Sequence, residues 1–443
     1  MKETKTNPTN DLNEVIVMFK PDICRRALTW LKNRGGRLVS VMAVAGTLGF
    51  GIMAPTAPAM AAGFGAFVED DAPYANWFRF KESVLKHWSI IGSYSHPDKV
   101  VIKMRRPDGS GGVIEDPKWK LMVIYPRPSS AYDVAISKIL KLFAERNITA
   151  EITVMNFNRN DENGRKALAL AESLEVDLIY SMGSQSTAWL WKNYKDGKLP
   201  VVSVTSKDPV VLGQTPSYEI GTGTNFAFTS LNMPVEAQMA YIHELRPNLK
   251  NLAILVDQNN VSAMQTQFKP MRETAVQKGV KVMDLKVQQT ENARSELATM
   301  VRGAVEKMRE NDPNLNNSLF WITGSTSVFR EIQTINANAD RVPVLSVVPE
   351  VVQEGDASAA MSIGISFESN AHLAALYGIK VLRGKVKVGD LKVGVVSPPD
   401  IAINFRKVRE IGLKMPFSFV EGANFIYDYD GQSVRAGGTR TSN

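Results

Sequence analysis

The chain holds one cysteine and four histidines in 443 residues. The cysteine, Cys24, stands among the first 61 residues, so the rest of the chain has neither thiol nor disulfide; thiolate metal sites, cysteine nucleophiles and a lipid-modified cysteine are excluded there. A span of roughly 380 residues can bury one or two full cores without such staples. His87, His96, His243 and His372 are scattered, with no H-E-x-x-H or H-x-H pair, so no metal is expected. No P-loop is present. Gly221-Thr222-Gly223 precedes an extended segment rather than opening a helix after a strand, the wrong context for a dinucleotide loop. Gly183-Ser184-Gln185-Ser186-Thr187 lacks the spacing of a nucleophile elbow and has no histidine near it in sequence. An enzyme is therefore not expected, nor any cofactor. Asp208 and Glu350 as a catalytic carboxylate pair are explained more simply by binding or capping. Apolar runs are short too: after residue 53 none approaches the roughly 20 residues that a spanning helix needs.

The first 62 residues are the most informative stretch. Arg25, Arg26, Lys32, Arg34 and Arg37 precede an apolar run from Leu38 to Met53, followed by Ala57-Pro58-Ala59-Met60-Ala61-Ala62. This is the pattern of a secretory signal over residues 1–61, cut near Ala61/Ala62. A retained anchor fits less well, because Gly46, Gly49, Gly51 and Pro55 break the run. The residues after Arg25-Arg26 fit a twin-arginine signal poorly, so the Sec route is expected; the long charged region makes Met18 an alternative start. Export changes the reading of charge. Of 52 basic and 45 acidic residues, 8 and 4 lie in residues 1–61, leaving 44 against 41. With no clustered basic face, nucleic acid is not an expected partner. The expected location is the periplasm.

From Lys118 onward, short apolar runs alternate with amphipathic stretches. Strands are expected at 120–125, 148–155, 177–181 and 201–205, with helices at 131–146, 165–174 and 186–194. A second round follows the helix at 234–245: strands at 252–257, 281–287, 319–323 and 344–348, and helices at 264–278, 294–310 and 327–338. Such alternation implies parallel pairing with right-handed crossovers. The fold class is α/β, two doubly wound lobes joined by three crossovers at 223–232, 362–369 and 395–404. Lobe one is expected over 118–232 plus 366–395, and lobe two over 233–365 plus 396–428. Residues 62–117 form an N-terminal extension with a helix at 77–88 and a Gly-rich loop at 108–112. Residues 429–443, polar and Gly/Ser-rich, form a disordered tail.

In such sheets ligands sit beyond the carboxyl ends of the strands, at helix N-termini. Those turns are Pro126 to Tyr132, Met182 to Thr187 and Ser206 to Val210 in lobe one, and Asp257 to Asn260, Thr323 to Thr326 and Val348 to Glu350 in lobe two. Nearly all present hydroxyls or amides, which suit a small zwitterion, with Asp208 or Glu350 meeting its ammonium. The same residue types are ordinary helix caps. Tyr132, Trp189, Phe226 and Trp321 offer an aromatic wall or, more ordinarily, core.

Three runs, Leu199 to Gly213, Gly223-Thr224-Asn225 and Glu244 to Val256, together with Val342-Pro343-Val344, Gly355 to Gly364, Leu382-Arg383-Gly384, Ile403-Asn404 and Ile411 to Pro416, resemble ABC-transporter substrate-binding proteins of the tryptophan/tyrosine type. The resemblance spans about residues 118–428 and implies a type I periplasmic-binding fold that closes on a small solute by hinge motion. It implies ligand contacts at Ser129 and Ser130, at Gly183, Ser184, Gln185 and Ser186, near Asp208, at Asn225 of the Gly-Thr-Asn segment, and opposite them at Gln258, Asn259 and Ser325; the turn reading adds Tyr132 and Glu350. Its implied partners are a small polar or aromatic, amino-acid-like solute and an ABC permease with its ATPase, and the expected state is a monomer. The alternative is a periplasmic sensor or docking protein that uses residues 63–117 to engage a membrane protein.

Overall fold

The computed structural model describes Tyr74 and residues 76–440. The expected signal peptide, its cleavage point and the alternative start lie outside the described residues. In chain order the strands are β1 (Trp88–Tyr94), β2 (Asp98–Met104), β3 (Trp119–Tyr125), β4 (Ala150–Asn156), β5 (Leu178–Met182), β6 (Val201–Val204), β7 (Phe226–Ala227), β8 (Thr229–Ser230), β9 (Asn251–Asp257), β10 (Lys281–Val287), β11 (Ser318–Ile322), β12 (Val344–Ser346), β13 (Met361–Gly364), β14 (Gly394–Val395), β15 (Asp400–Asn404), β16 (Phe425–Tyr427), β17 (Ser433–Ala436) and β18 (Thr439–Arg440). The helices are α1 (Ser130–Glu145), α2 (Asp161–Ser173), α3 (Gly183–Tyr194), α4 (Val235–Leu245), α5 (Val261–Ala263), α6 (Lys269–Gln277), α7 (Ala293–Arg309), α8 (Thr326–Phe329), α9 (Ile332–Asn338), α10 (Phe367–Leu382), α11 (Phe405–Glu410) and α12 (Phe417–Gly422).

The first sheet runs β1-β2-β4-β3-β5-β6-β7, parallel from β4 to β7. Its central strand shows why the chain folds so: every residue from Leu121 to Tyr125 is buried, which needs cover on both faces. Leu121, Val123 and Tyr125 pack with Ile136, Ile139, Leu140 and Phe143 of α1. Met122 and Ile124 face the other way, onto Ala167 and Leu168 of α2 and Leu190 of α3. The second sheet runs β10-β9-β11-β12-β13-β15-β16-β17-β18, with β9, uniformly buried, in the corresponding role.

The chain passes between sheets three times. After β8, α4 packs on β13 and α6; after β13, α10 packs on α1 and β6; after β14, which pairs with β8, the chain enters β15. Asn370 of α10 binds this region together, accepting from Thr205 N at 2.7 Å and donating to Ser230 O at 3.1 Å.

The expected elements fall close to observed ones, with informative differences. In place of a helix at 77–88 there is a short 3-10 turn, Glu82–Val84, and then β1. Apolar positions 80, 84 and 88 have helical spacing, but long-range packing overrides it. Trp77, Phe78 and Phe80 are buried beside Tyr125, and Trp88 donates Nε1 to Leu140 O at 2.9 Å. The first sheet therefore starts upstream of residue 118, because β1 and β2 extend it antiparallel to β4. The tail is also ordered through Arg440: β17 and β18 form a hairpin on β16. Its turn is Gly437-Gly438, both at positive φ, the geometry of a two-residue hairpin loop. The helix expected at 264–278 is α5, a π-helical turn over Met264–Phe268, and α6.

Candidate functional site

The parallel strands of each sheet deliver their carboxyl ends to loops that meet between the two sheets. In the first sheet β3 leads into α1, β5 into α3, and β6 into the loop Thr205 to Asp208. Thr205 sits at φ 51°, in the left-handed region that a β-branched residue rarely adopts. That strain is held by the Asn370 hydrogen bond and turns the following loop toward the other sheet. Lys207 is then buried, 8% exposed, with its backbone N–H donating to Ser184 Oγ at 2.9 Å. Its Nζ lies against Gly324, just beyond β11 of the second sheet, where a Cβ would collide with it. A side chain at 324 would have to displace the end of Lys207. Burial lowers the Lys207 ammonium to about 8. Among the described residues no carboxylate stands within ion-pair distance of it.

Two arginines stand on strand-end loops of the two lobes. Arg127, just after β3, has a buried Nε without a hydrogen-bond partner. Its charge acts on Tyr132 in its own lobe and on Arg330, at the end of α8, in the other. Partial burial and then this like charge lower the Arg330 guanidinium. Thr205 Oγ1 and Ser206 Oγ are also buried without partners.

The expected site residues divide sharply. Ser129 caps α1 in position without a side-chain cap bond, and Ser130 begins the helix, both beside the cleft. Gly183 has φ +74° and leaves room for the Tyr132 hydroxyl, so Tyr132 is packed against the α3 N-terminus and edge-on to Tyr125, with ring centroids 5.2 Å apart. Ser184 faces the Lys207 loop, whereas Gln185 is exposed on α3. Ser186 donates to Ile124 O at 3.0 Å and accepts from Ser181 Oγ, which ties it into the core. Asn225 holds Leu199 O and Tyr194 O, a structural clamp. Asp208 accepts from Val210 N, Val211 N and the Tyr218 hydroxyl. It caps a turn, and its carboxylate is engaged. Across the cleft Gln258 and Asn259 reach Gln288 O, and Ser325 accepts from Thr323 and Asn260. Glu350 accepts from Phe367 N at 2.6 Å; burial raises its carboxyl to about 8, which favours the neutral form near pH 7. The aromatic wall dissolves as well: Phe226 and Trp321 are core, and Trp189 donates to Asp161 outside the cleft.

Two participants were missed. Lys207 was read only as part of its turn. Gln267, on the π-helical turn, accepts from Gly324 N at 2.8 Å, while Thr266 O on the same turn accepts from Asn232 at 3.0 Å. The π turn therefore links a crossover to the Lys207 contact, a common placement for such irregularities. A separate indentation of about 330 Å³, lined by Asn336, Asp340, Lys407 and Glu410 among others, opens beside Val342 and Val344 at the amino end of β12, away from the ligand-facing ends of the strands.

Two α/β lobes, crossed three times and meeting at their strand ends, define a type I periplasmic-binding fold. Residues 123–424 match the model of the ABC transporter substrate binding protein family, and the chain belongs to that family. A conserved domain protein from Vibrio cholerae O1 biovar El Tor superposes with TM-score 0.57 at 17% identity, covering 70% of this chain and 99% of that one. An ABC domain in complex with L-Trp from Streptococcus pneumoniae gives 0.57 at 19% identity over 70% and 99%. A substrate binding protein with adhesive properties from Clostridium difficile, in its ligand-free, open structure, gives 0.53 at 18% over 69% and 98%. No curated protein matches the chain in sequence. Family membership gives a binding role in transport rather than a catalytic one, with a solute as ligand and an ABC permease as partner. No described helix is long and apolar enough to cross a membrane.

Proposed function

We propose that this protein is a periplasmic solute receptor whose lobes close on a small polar solute and present it to an ABC import permease. The observation that carries the reading is Lys207: a buried cation from one lobe lies against Gly324 of the other and has no acid partner among the described residues. Burying such a charge is costly unless something pairs with it. A ligand enclosed at this contact would supply the pair and link closure to occupancy. Helix N-termini at Ser130 and Gly183 and the Ser184 hydroxyl lie on the same side as Lys207 and add donors.

The amino-acid-like solute suggested by the resemblance requires a partner for its ammonium. Of the carboxylates expected for that task, Asp208 is engaged within the protein. Glu350 accepts from Phe367 N with one oxygen, leaves Oε2 buried without a partner, and is raised to about 8 by burial, which favours its uncharged form near pH 7. The test is a thermal-shift screen of the full chain against amino acids, organic acids, polyamines and sugars, followed by small-angle scattering with any hit. A ligand at 100 times its dissociation constant adds about 2.7 kcal/mol of stability. The reading expects a hit with a smaller radius of gyration; a well-folded protein silent to every class would sink it.

A further inference from the structure

Cations collect at this cleft and the nearby acids are committed elsewhere. Lys207 is more than nine-tenths buried and unpaired, Arg127 carries a buried partnerless Nε, and Arg330 faces Arg127 from the opposite lobe. Among the described residues none of these three takes part in an ion pair. The acids beside them are spoken for. Asp208 holds two backbone N–H groups and Tyr218; Asp257 holds Asn259 N, Thr290 and Ser327; Asp400 holds Ser366 N. Glu350 accepts from Phe367 N through Oε1 and keeps a buried Oε2 without a partner, but burial raises it to about 8 and so favours its uncharged form near pH 7. Glu236, felt by Tyr218, is exposed on α4. The charge of Arg127 already acts on Arg330 across the cleft beside the buried Lys207, and like charges in low dielectric repel strongly. A zwitterion would compensate one charge and add another cation. A net anion compensates without adding one.

We infer that the solute is a small organic anion, a carboxylate with no balancing ammonium, held by Lys207 between the lobes with Arg127 and Arg330 at the entrance. This inference rests on the receptor reading and fixes the charge of the ligand. Coulomb steering by the two arginines should make its capture faster at low ionic strength.

The test is calorimetric titration of the full chain with charge-matched trios: phenylacetate, L-phenylalanine and phenethylamine; glutarate, L-glutamine and putrescine; galacturonate, galactose and galactosamine. The anion of at least one trio should bind at least tenfold more tightly than its zwitterionic or neutral partner, with no measurable amine binding. Lys207→Met should weaken that anion by about 10–100-fold, the value of a buried charge-assisted hydrogen bond. Arg330→Gln, at an exposed position and so of little consequence for folding, should weaken it less and flatten its salt dependence. Equal or tighter binding of a zwitterion, or an unchanged affinity in both variants, overturns the inference and leaves the receptor reading standing. Silence from all nine compounds overturns the organic-anion inference, while a hit in the wider thermal screen still decides the receptor reading separately.

Discussion

The two sets of cleft loops are built from similar residues and finished differently. In the second lobe most polar groups of the cleft loops satisfy one another: Asp257 takes three donors, Ser325 is held by Thr323 and Asn260, and Gln267 takes the Gly324 N–H, while Glu350 keeps one buried oxygen, Oε2, without a partner. In the first lobe Arg127 Nε, Thr205 Oγ1 and Ser206 Oγ are buried without partners and Lys207 has no counter-ion. Buried polar groups are ordinarily paired, and exceptions point to a missing ligand or water. The second lobe's loops are thus the more nearly finished surface, and under the proposed receptor function the first is the one that receives.

The largest expected effect comes from spoiling the fit between them. Gly324→Leu places a side chain where Lys207 Nζ lies. Because the displaced atom ends a flexible chain, each lobe should fold while the lobes fail to meet. Ligand affinity should fall about a hundredfold, comparable to loss of a buried charged hydrogen bond. Scattering should then report no compaction on adding ligand. Normal closure in this variant would mean that the loops do not approach one another in the working cycle.

A smaller effect separates the two aspartates that open cleft loops. Asp257→Ala strands two hydroxyls and one N–H, and should cost about 2–3 kcal/mol in denaturant unfolding. Asp208→Ala removes a turn cap and the Tyr218 contact, and should cost about 1–2 kcal/mol. Neither should abolish binding as Lys207→Met does. An Asp208→Ala protein of full stability but without affinity would return that carboxylate to the ligand.

The pH dependence sharpens the contrast further. Burial raises Glu350, beside the crossover into α10, from an ordinary 4.5 to about 8, with the charges of Asp400 and Glu368 adding to the shift. It also raises Asp133 on α1 from 3.8 to about 7, against the opposing Arg79 N–H. An acid raised on folding holds a proton that the unfolded chain has released, so its stabilisation is complete below the ordinary value and is lost as pH rises through the folded one. Unfolding free energy should therefore decline between about pH 5 and 8 through these two groups, while His372, lowered chiefly by burial, acts in the opposite sense. Glu350→Gln keeps an acceptor for Phe367 N and should flatten the decline up to pH 8; Asp133→Asn should do so only up to pH 7. Identical pH profiles in wild type and both variants would show that neither carboxyl is buried as described.

Pattern in the sequence located the strands because both lobes bury continuous apolar runs; β10 falls on the expected residues 281–287 to the residue. Tertiary packing decided the rest. Residues 77–88 carry helical spacing yet serve the first sheet, and the polar, glycine-rich tail expected to be disordered forms a hairpin about Gly437-Gly438. Cleft turns were legible as strand ends. Which side chain in a turn is free was not: Lys207 and Asp208 are neighbours, and what separates them is Tyr218, ten residues from the aspartate, and Gly324 in the other lobe.

The smallest expected effects belong to the amides at the rim. Gln258 and Asn259 each donate to Gln288 O in their own lobe, and Gln185 is exposed on α3. Alanine at any of the three should alter stability by no more than about 0.5 kcal/mol, as for ordinary surface positions. If the receiving surface is the Lys207 side, Gln258→Ala and Asn259→Ala should also leave ligand affinity within about twofold in titration, a change under half of the 1.4 kcal/mol that makes a decade. A tenfold loss at Asn259 would instead place a specific ligand contact in the second lobe, and would make the two surfaces equal partners rather than receiver and lid.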